Sequence, residues 1–193
     1  MDKIFVSRGG IKLQAAIENF KLKMKQASCF AIENSVVLDV GSSTGGFVDC
    51  LLQNGAKRVY AVDTSYGELA WKLRNDPRVV VMERTNVLYL KSLPDQMDII
   101  TIDAGWTKLE LILPVVKKFL KTNGAIIALL KPQYEADKNL LKRGILPIHE
   151  VGKVKEQVFQ KILDFEFKIL NSIESPILGG GGNREFLLYL SIG

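Results

Sequence analysis

Leu38-Asp39-Val40-Gly41-Ser42-Ser43-Thr44-Gly45-Gly46-Phe47 is a short apolar run that ends in a glycine-rich turn and reopens as a helix through Leu51 and Leu52. Strand, tight turn and helix in that order build the nucleotide-binding corner of open α/β sheets, with the ligand at the strand's carboxyl end. Gly41 permits the tight exit from the strand, while Gly45 and Gly46 let backbone approach a ligand and pack helix on strand. Ser43 stands where the dinucleotide fingerprint has its middle glycine, which counts against a nicotinamide oxidoreductase.

Working outward from this turn, strand and helix patterns alternate. After Val36–Val40 come strands at Arg58–Asp63, Val79–Met82 and Met97–Asp103, with a helix around Leu69-Ala70-Trp71 after the second of them. Leu109–Leu120 reads as a helix that tolerates Pro114, and Gly124–Lys131 as a fifth strand, apolar enough to be buried on both faces. A helix over His149–Phe165 precedes strands at Lys168–Ile173 and Glu185–Ser191, joined by a glycine-rich turn. Upstream, Ile4-Phe5-Val6 is extended and Ser7-Arg8-Gly9-Gly10 is a turn. Leu13, Ala16, Ile17, Phe20 and Met24 then repeat at helical spacing from near Ile11. The expected fold is α/β: a mostly parallel seven-stranded sheet with an antiparallel edge hairpin and helices on both faces. That is the architecture of Rossmann-like methyltransferases. Residues 1–34 are expected to form a helical segment packed on a core of residues 35–193, one domain in all.

The chain has 193 residues, a formal charge of +5 and a pI near 9.1, which leans towards a polyanionic partner although no polybasic run is present. Cys29 and Cys50 lack metal or redox spacing and read as buried thiols in a reducing cytosol. No segment resembles a signal peptide, and no apolar run reaches the ~20 residues of a membrane-spanning helix. A cytoplasmic protein is expected. His149 stands alone, so a capping or surface role is expected rather than a metal. Gly179–Gly182 reads as a mobile hairpin turn rather than a second phosphate loop, because no helix follows it.

Several polar residues fall where a donor and an acceptor would meet. Asp39 fits the acidic residue of a methyltransferase loop. Asp63 ends the second strand about 20 residues beyond the turn, where an acid binds ribose hydroxyls or caps the next helix. Asn86 follows the third strand and could read an adenine edge or cap a short helix. Asp103 and Lys131 end adjacent strands, so their charges emerge at the ligand-binding edge, as a catalytic pair or a structural one. Glu185 begins the last strand and could reach the same side. Lys12 sits in the first turn of a helix, where the dipole disfavours a cation; a function or simple solvation would explain it. Methyl transfer to a ribose hydroxyl suits such a set, because the hydroxyl proton must leave as the methyl arrives. A lysine base must be partly neutral, which burial and a second cation such as Lys12 beside Lys131 would favour. Asp103 and Glu185 would hold the two ammonium groups.

Val6-Ser7-Arg8-Gly9-Gly10-Ile11-Lys12-Leu13, the Leu38–Phe47 turn, Lys131-Pro132-Gln133-Tyr134-Glu135 and Gly182-Asn183-Arg184-Glu185-Phe186 resemble the hemolysin-A-like (TlyA-type) ribosomal RNA methyltransferases of the FtsJ-like Rossmann class. The resemblance spans almost the whole chain. It implies S-adenosylmethionine as donor, ribosomal RNA or a ribosomal subunit as partner, and 2′-O-methylation by a Lys-Asp-Lys-Glu tetrad at Lys12, Asp103, Lys131 and Glu185. Donor contacts map to Asp39, Gly41, Ser42, Ser43, Thr44, Gly45, Gly46, Phe47, Asp63, Asn86 and Asp103. In this role Lys131 is the base or positions the hydroxyl, and the other three tune and orient it. Two departures stand out. The N-terminal S4-type RNA-binding domain usual in the family is not in this sequence. The family's Ser-Phe-containing segment after the tetrad aspartate reads Ala104-Gly105-Trp106-Thr107-Lys108 here, and Trp106 either stacks on a base or packs in the core. These departures keep two alternatives in view: a different acceptor (an RNA base or a small molecule), or a non-catalytic RNA-binding assembly factor. Membrane lysis, evoked by the family's historical name, lacks an amphipathic membrane-seeking segment.

Overall fold

A computed structural model describes residues 4–22 and 31–193; Met24 and Cys29 lie outside the described residues. Seven strands form one sheet in the order β3-β2-β1-β4-β5-β7-β6. The strands are β1 (Val36–Val40), β2 (Arg58–Val62), β3 (Val79–Met82), β4 (Met97–Ile102), β5 (Leu120–Leu130), β6 (Phe167–Glu174) and β7 (Phe186–Ile192). The first five run parallel, and β7 is antiparallel to both β5 and β6. The expected hairpin is therefore present, with its second strand inserted between β5 and its first.

Alternation along the strands divides the core in two. Leu38, Val40, Ile100 and Ile102 face one cluster, which α4 (Leu109–Lys117) and α6 (Ile148–Asp164) cover. Val37, Ile99, Ile127 and Leu187 face the other, covered by α1 (Gly9–Asn19) and α2 (Gly46–Gln53). Leu13 and Ile17 are fully buried there, each contributing about 2 kcal/mol of apolar burial. They fix the rotation of α1, and hence the side on which Lys12 emerges. The entering segment is tied down by a hydrogen bond from the Val6 amide to Asp49 Oδ2 at 2.9 Å, and Lys72 meets the same oxygen at 3.0 Å.

Two boundaries differ from expectation. The helix expected over Leu109–Leu120 stops at Lys117, because Leu120 already pairs with Met97 at the start of β5. The register then shifts to Ile99 against Ala125, which leaves Lys121, Thr122 and Asn123 exposed in the detour. The helix expected around Leu69-Ala70-Trp71 is only the four residues of α3 (Trp71–Arg74). No helix among the described residues is long and apolar enough to cross a membrane.

Candidate functional site

Strand order reverses at β1, whose neighbours are β2 and β4, so the loops leaving β1 and β4 diverge and open a crevice. The glycine turn fills its floor. Gly41 has φ +84°, and a Cβ there would lie 2.6 Å from the Asp103 carbonyl oxygen, so only glycine lets the turn lie against the end of β4. Gly45 (φ +98°) is the N-cap of α2, and a Cβ on Gly46 would meet Ser7 Oγ at 2.2 Å where α1 abuts α2.

Two cavities meet across this turn, sharing Gly41, Ser43, Asp103 and Gly105. The first, of about 300 Å³, has apolar walls from Val62, Val87 and Ile112 and polar groups from Asp63 and Asn86. Asp63 caps no helix. Its Oδ2 accepts the Ser43 amide at 2.8 Å, and its Oδ1 accepts the Ser65 amide and hydroxyl at 2.8 and 2.7 Å. Burial works against its charge, but the bonds from Ser65 and Ser43 outweigh it and hold the carboxyl below its ordinary range. Asn86 does cap a short helix: its Oδ1 accepts the Leu88 amide at 2.9 Å in the 3-10 turn Val87–Tyr89. Trp106 lines this cavity with 88% of its surface exposed, which rules out core packing.

The second cavity, of about 380 Å³, receives Lys12, Asp103 and Lys131 alongside Ser7, Arg8 and Ser42 to Thr44. Lys131, the residue after β5, places Nζ 2.6 Å from Asp103 Oδ1 in a close ion pair. Lys12 Nζ donates to Glu185 Oε2 at 2.5 Å, with the two side chains 11% and 3% exposed. A cation in the first turn of α1 is thus matched by a buried carboxylate. Since Leu130 pairs with Phe186, Lys131 and Glu185 stand level at the ends of neighbouring strands. The four candidate catalytic residues converge as two ion pairs. Burial raises the Asp103 carboxyl above its ordinary range and Glu185 adds to this, although Lys131 and Lys12 pull it down.

Asp39 sits differently. It is fully buried, lines neither cavity, and accepts the Thr101 hydroxyl on Oδ1 at 2.5 Å, while Oδ2 has no partner. Burial drives its carboxyl up to about 7, opposed by the Thr101 bond and reinforced by Asp103 and Asp63. Phe47 is also buried, near Gly9, while Thr44 accepts the Ala70 amide at 3.1 Å.

Several residues at the site carried no local signal of a role. Gln133, in the short helix α5 (Pro132–Glu135), donates Nε2 to Glu185 Oε1 over a long 3.4 Å, and Tyr134 meets Trp106 with ring centroids 5.2 Å apart. The Gly179–Gly182 run lies in the hairpin connection between antiparallel β6 and β7, as expected, with a 3-10 turn at Gly180–Gly182, and it borders the second cavity through Gly179 and Gly180. The Asn183 carbonyl accepts the Gly179 amide at 2.8 Å, and the Asn183 side chain reaches Gly180, Gly144 and Leu146. His149 is exposed beside Glu150, and no group of three His, Cys, Asp or Glu among the described residues could hold a metal.

The model of the FtsJ-like methyltransferases matches residues 5–192. YqxC of Bacillus subtilis is 45% identical over 96% of this chain, which spans 65% of that protein's length. The 16S/23S rRNA (cytidine-2′-O)-methyltransferase TlyA of Mycobacterium tuberculosis is 34% identical over 98% of the chain and 69% of its own length. A solved Streptococcus thermophilus structure, named as a candidate hemolysin, superposes with TM-score 0.90 at 40% identity, covering 98% of this chain and 68% of that one. Sequence, sheet order and site geometry agree, and the chain belongs to the FtsJ-like methyltransferase family.

Proposed function

We propose that this protein transfers a methyl group from S-adenosylmethionine to a ribose 2′-hydroxyl of ribosomal RNA, in the cytoplasm. The observation that carries the reading is the meeting of the Lys131–Asp103 and Lys12–Glu185 pairs in a cavity continuous with a nucleoside-sized one. The relative named a cytidine-2′-O-methyltransferase supports the acceptor and makes cytidine the first nucleotide to test.

The residues present fit the donor. Asp63 is an anionic acceptor suited to ribose hydroxyls, Asn86 keeps its carboxamide nitrogen for a base edge, and Val62, Val87 and Ile112 offer apolar faces to a purine. When bound, the donor supplies a methyl group on a positively charged sulfur that departs as a neutral thioether. Lys131 holds the acceptor hydroxyl; it takes the proton in the form in which its own proton has passed to Asp103, and as an ammonium it orients the hydroxyl for loss of the proton to water. Asp103 fixes Lys131 through the 2.6 Å ion pair, and Lys12 with Glu185 closes the acceptor side of the cavity. The acceptor hydroxyl is placed in the second cavity, beside the donor, and much of the rate comes from that positioning.

Tritiated-methyl transfer to ribosomal subunits, followed by nuclease digestion and mass analysis of the nucleosides, tests the proposal. A 2′-O-methylated nucleoside is expected, and a Lys131→Ala variant with wild-type turnover would sink the mechanism. The second reading, an RNA base or a small molecule as acceptor, draws on Trp106 and its altered segment bordering the site; a base-methylated product would favour it.

A further inference from the structure

Glu185 is held from three sides. Lys12 Nζ takes Oε2 at 2.5 Å, and Gln133 Nε2 approaches Oε1 at 3.4 Å. On the remaining side is Gly179. A Cβ built there would lie 2.0 Å from Glu185 Oε1, 2.4 Å from Cδ and 3.1 Å from Cγ. The φ of Gly179 is −72°, which any residue adopts, so glycine is required for space and not for backbone conformation. The carboxylate is 3% exposed, which leaves it no solvent to swing into. Displacing it means leaving Lys12 or driving into Gln133.

We infer that Gly179, with Gln133, is a positioning element of the reaction: it reserves the space that keeps Glu185 turned to Lys12. Two carboxylates and two ammonium groups confined in one cleft can pair in more than one way. Lys12, Asp103 and Lys131 line one cavity, and Lys131 and Glu185 stand level at the ends of neighbouring strands, so the rival pairings lie within the same cleft. Gly179 holds the arrangement in which Lys131 is paired only with Asp103. Gln133 adds a donor that a carboxylate swung towards Lys131 would lose. This assignment rests on the ribose methyltransferase reading and adds to it two residues that act through Glu185, one of which, Gly179, also borders the second cavity.

Gly179→Ala and Glu185→Asp, singly and together, provide the test. Aspartate is one methylene shorter, so its carboxylate is withdrawn from the position a Cβ at residue 179 would occupy. Gly179→Ala is expected to lower kcat at least tenfold with the Kd for S-adenosylmethionine unchanged within twofold. In the Glu185→Asp background the same alanine is expected to change kcat less than twofold. Melting temperatures of the four proteins should show the same coupling: a drop on Gly179→Ala beside glutamate, and none beside aspartate. An equal cost in both backgrounds, or no cost in either, overturns the inference. Should Gly179→Ala fail to fold, Gln133→Leu reads the same clamp, with a several-fold fall in kcat beside glutamate and none in the Glu185→Asp background; equal falls in both overturn it. If the wild-type protein methylates no ribose, the function reading fails, while the melting temperatures still decide the clamp.

Discussion

Asp39 offers the sharpest quantitative prediction because its environment is one-sided. The carboxyl is fully buried beneath the glycine turn, Thr101 supplies one hydrogen bond, and Oδ2 has no partner. Its pKa rises from the ordinary 3.8 to about 7. A raised folded-state pKa in an acid means that the folded protein binds the proton more tightly than the unfolded chain. Stability is therefore undiminished below pH 4, falls as pH rises between about 4 and 7, and is fully reduced above 7. Each tenfold in proton affinity is worth about 1.4 kcal/mol, so the full loss is about 4 kcal/mol, a large share of a typical domain's 5–15 kcal/mol. Asp39→Asn removes this titration. It keeps the acceptor for Thr101 and places an unpartnered amide where Oδ2 stood, which costs about 1–3 kcal/mol at every pH. The variant should thus be less stable than wild type at pH 4.5 and more stable at pH 8. Urea unfolding of both proteins across pH 4.5–8.5 measures the difference, in which the shared titration of Asp103 largely cancels. A difference that stays flat across this range would refute the reasoning.

Other perturbations probe the remaining links. Asp63→Asn should weaken S-adenosylmethionine binding about tenfold by calorimetry, because the charged acceptor that also pins Ser43 is gone. Leu13→Ala should cost about 2–5 kcal/mol in urea unfolding, since the side chain is fully buried between α1 and the sheet. Trp106→Ala should leave the melting temperature within a degree or two, because the indole is 88% exposed, and should raise KM for RNA if the ring stacks on a base; unchanged KM and kcat would dismiss stacking.

Much of the fold was readable from local pattern. Leu38 to Phe47 announces strand, turn and helix within ten residues, the apolar runs of β1 and β4 mark strands, and that of β5 marks a strand buried on both faces. Local pattern misplaces what a non-local contact decides. Leu120 continues a helical pattern by itself, but pairing with Met97 draws it into β5. Gly179–Gly182 is legible as a hairpin turn, but its tether through Asn183 to Gly144 and Leu146, roughly 40 residues away in sequence, is not.

The site divides along the same line. Asp103 and Lys131 were legible from the chain, because both terminate apolar strands that parallel topology sets side by side at the carboxyl edge. Lys12 and Glu185 were not, since they are 173 positions apart and nothing local says they touch. Only the packing of α1 through Leu13 and Ile17, and the insertion of β7 beside β5, bring them to 2.5 Å. Most backbone elements follow from local pattern, because hydrophobic period and turn chemistry act over a few residues. Which charges pair, which glycine makes room for a carboxylate and which aspartate is buried depend instead on distances between segments that meet only once the sheet is assembled.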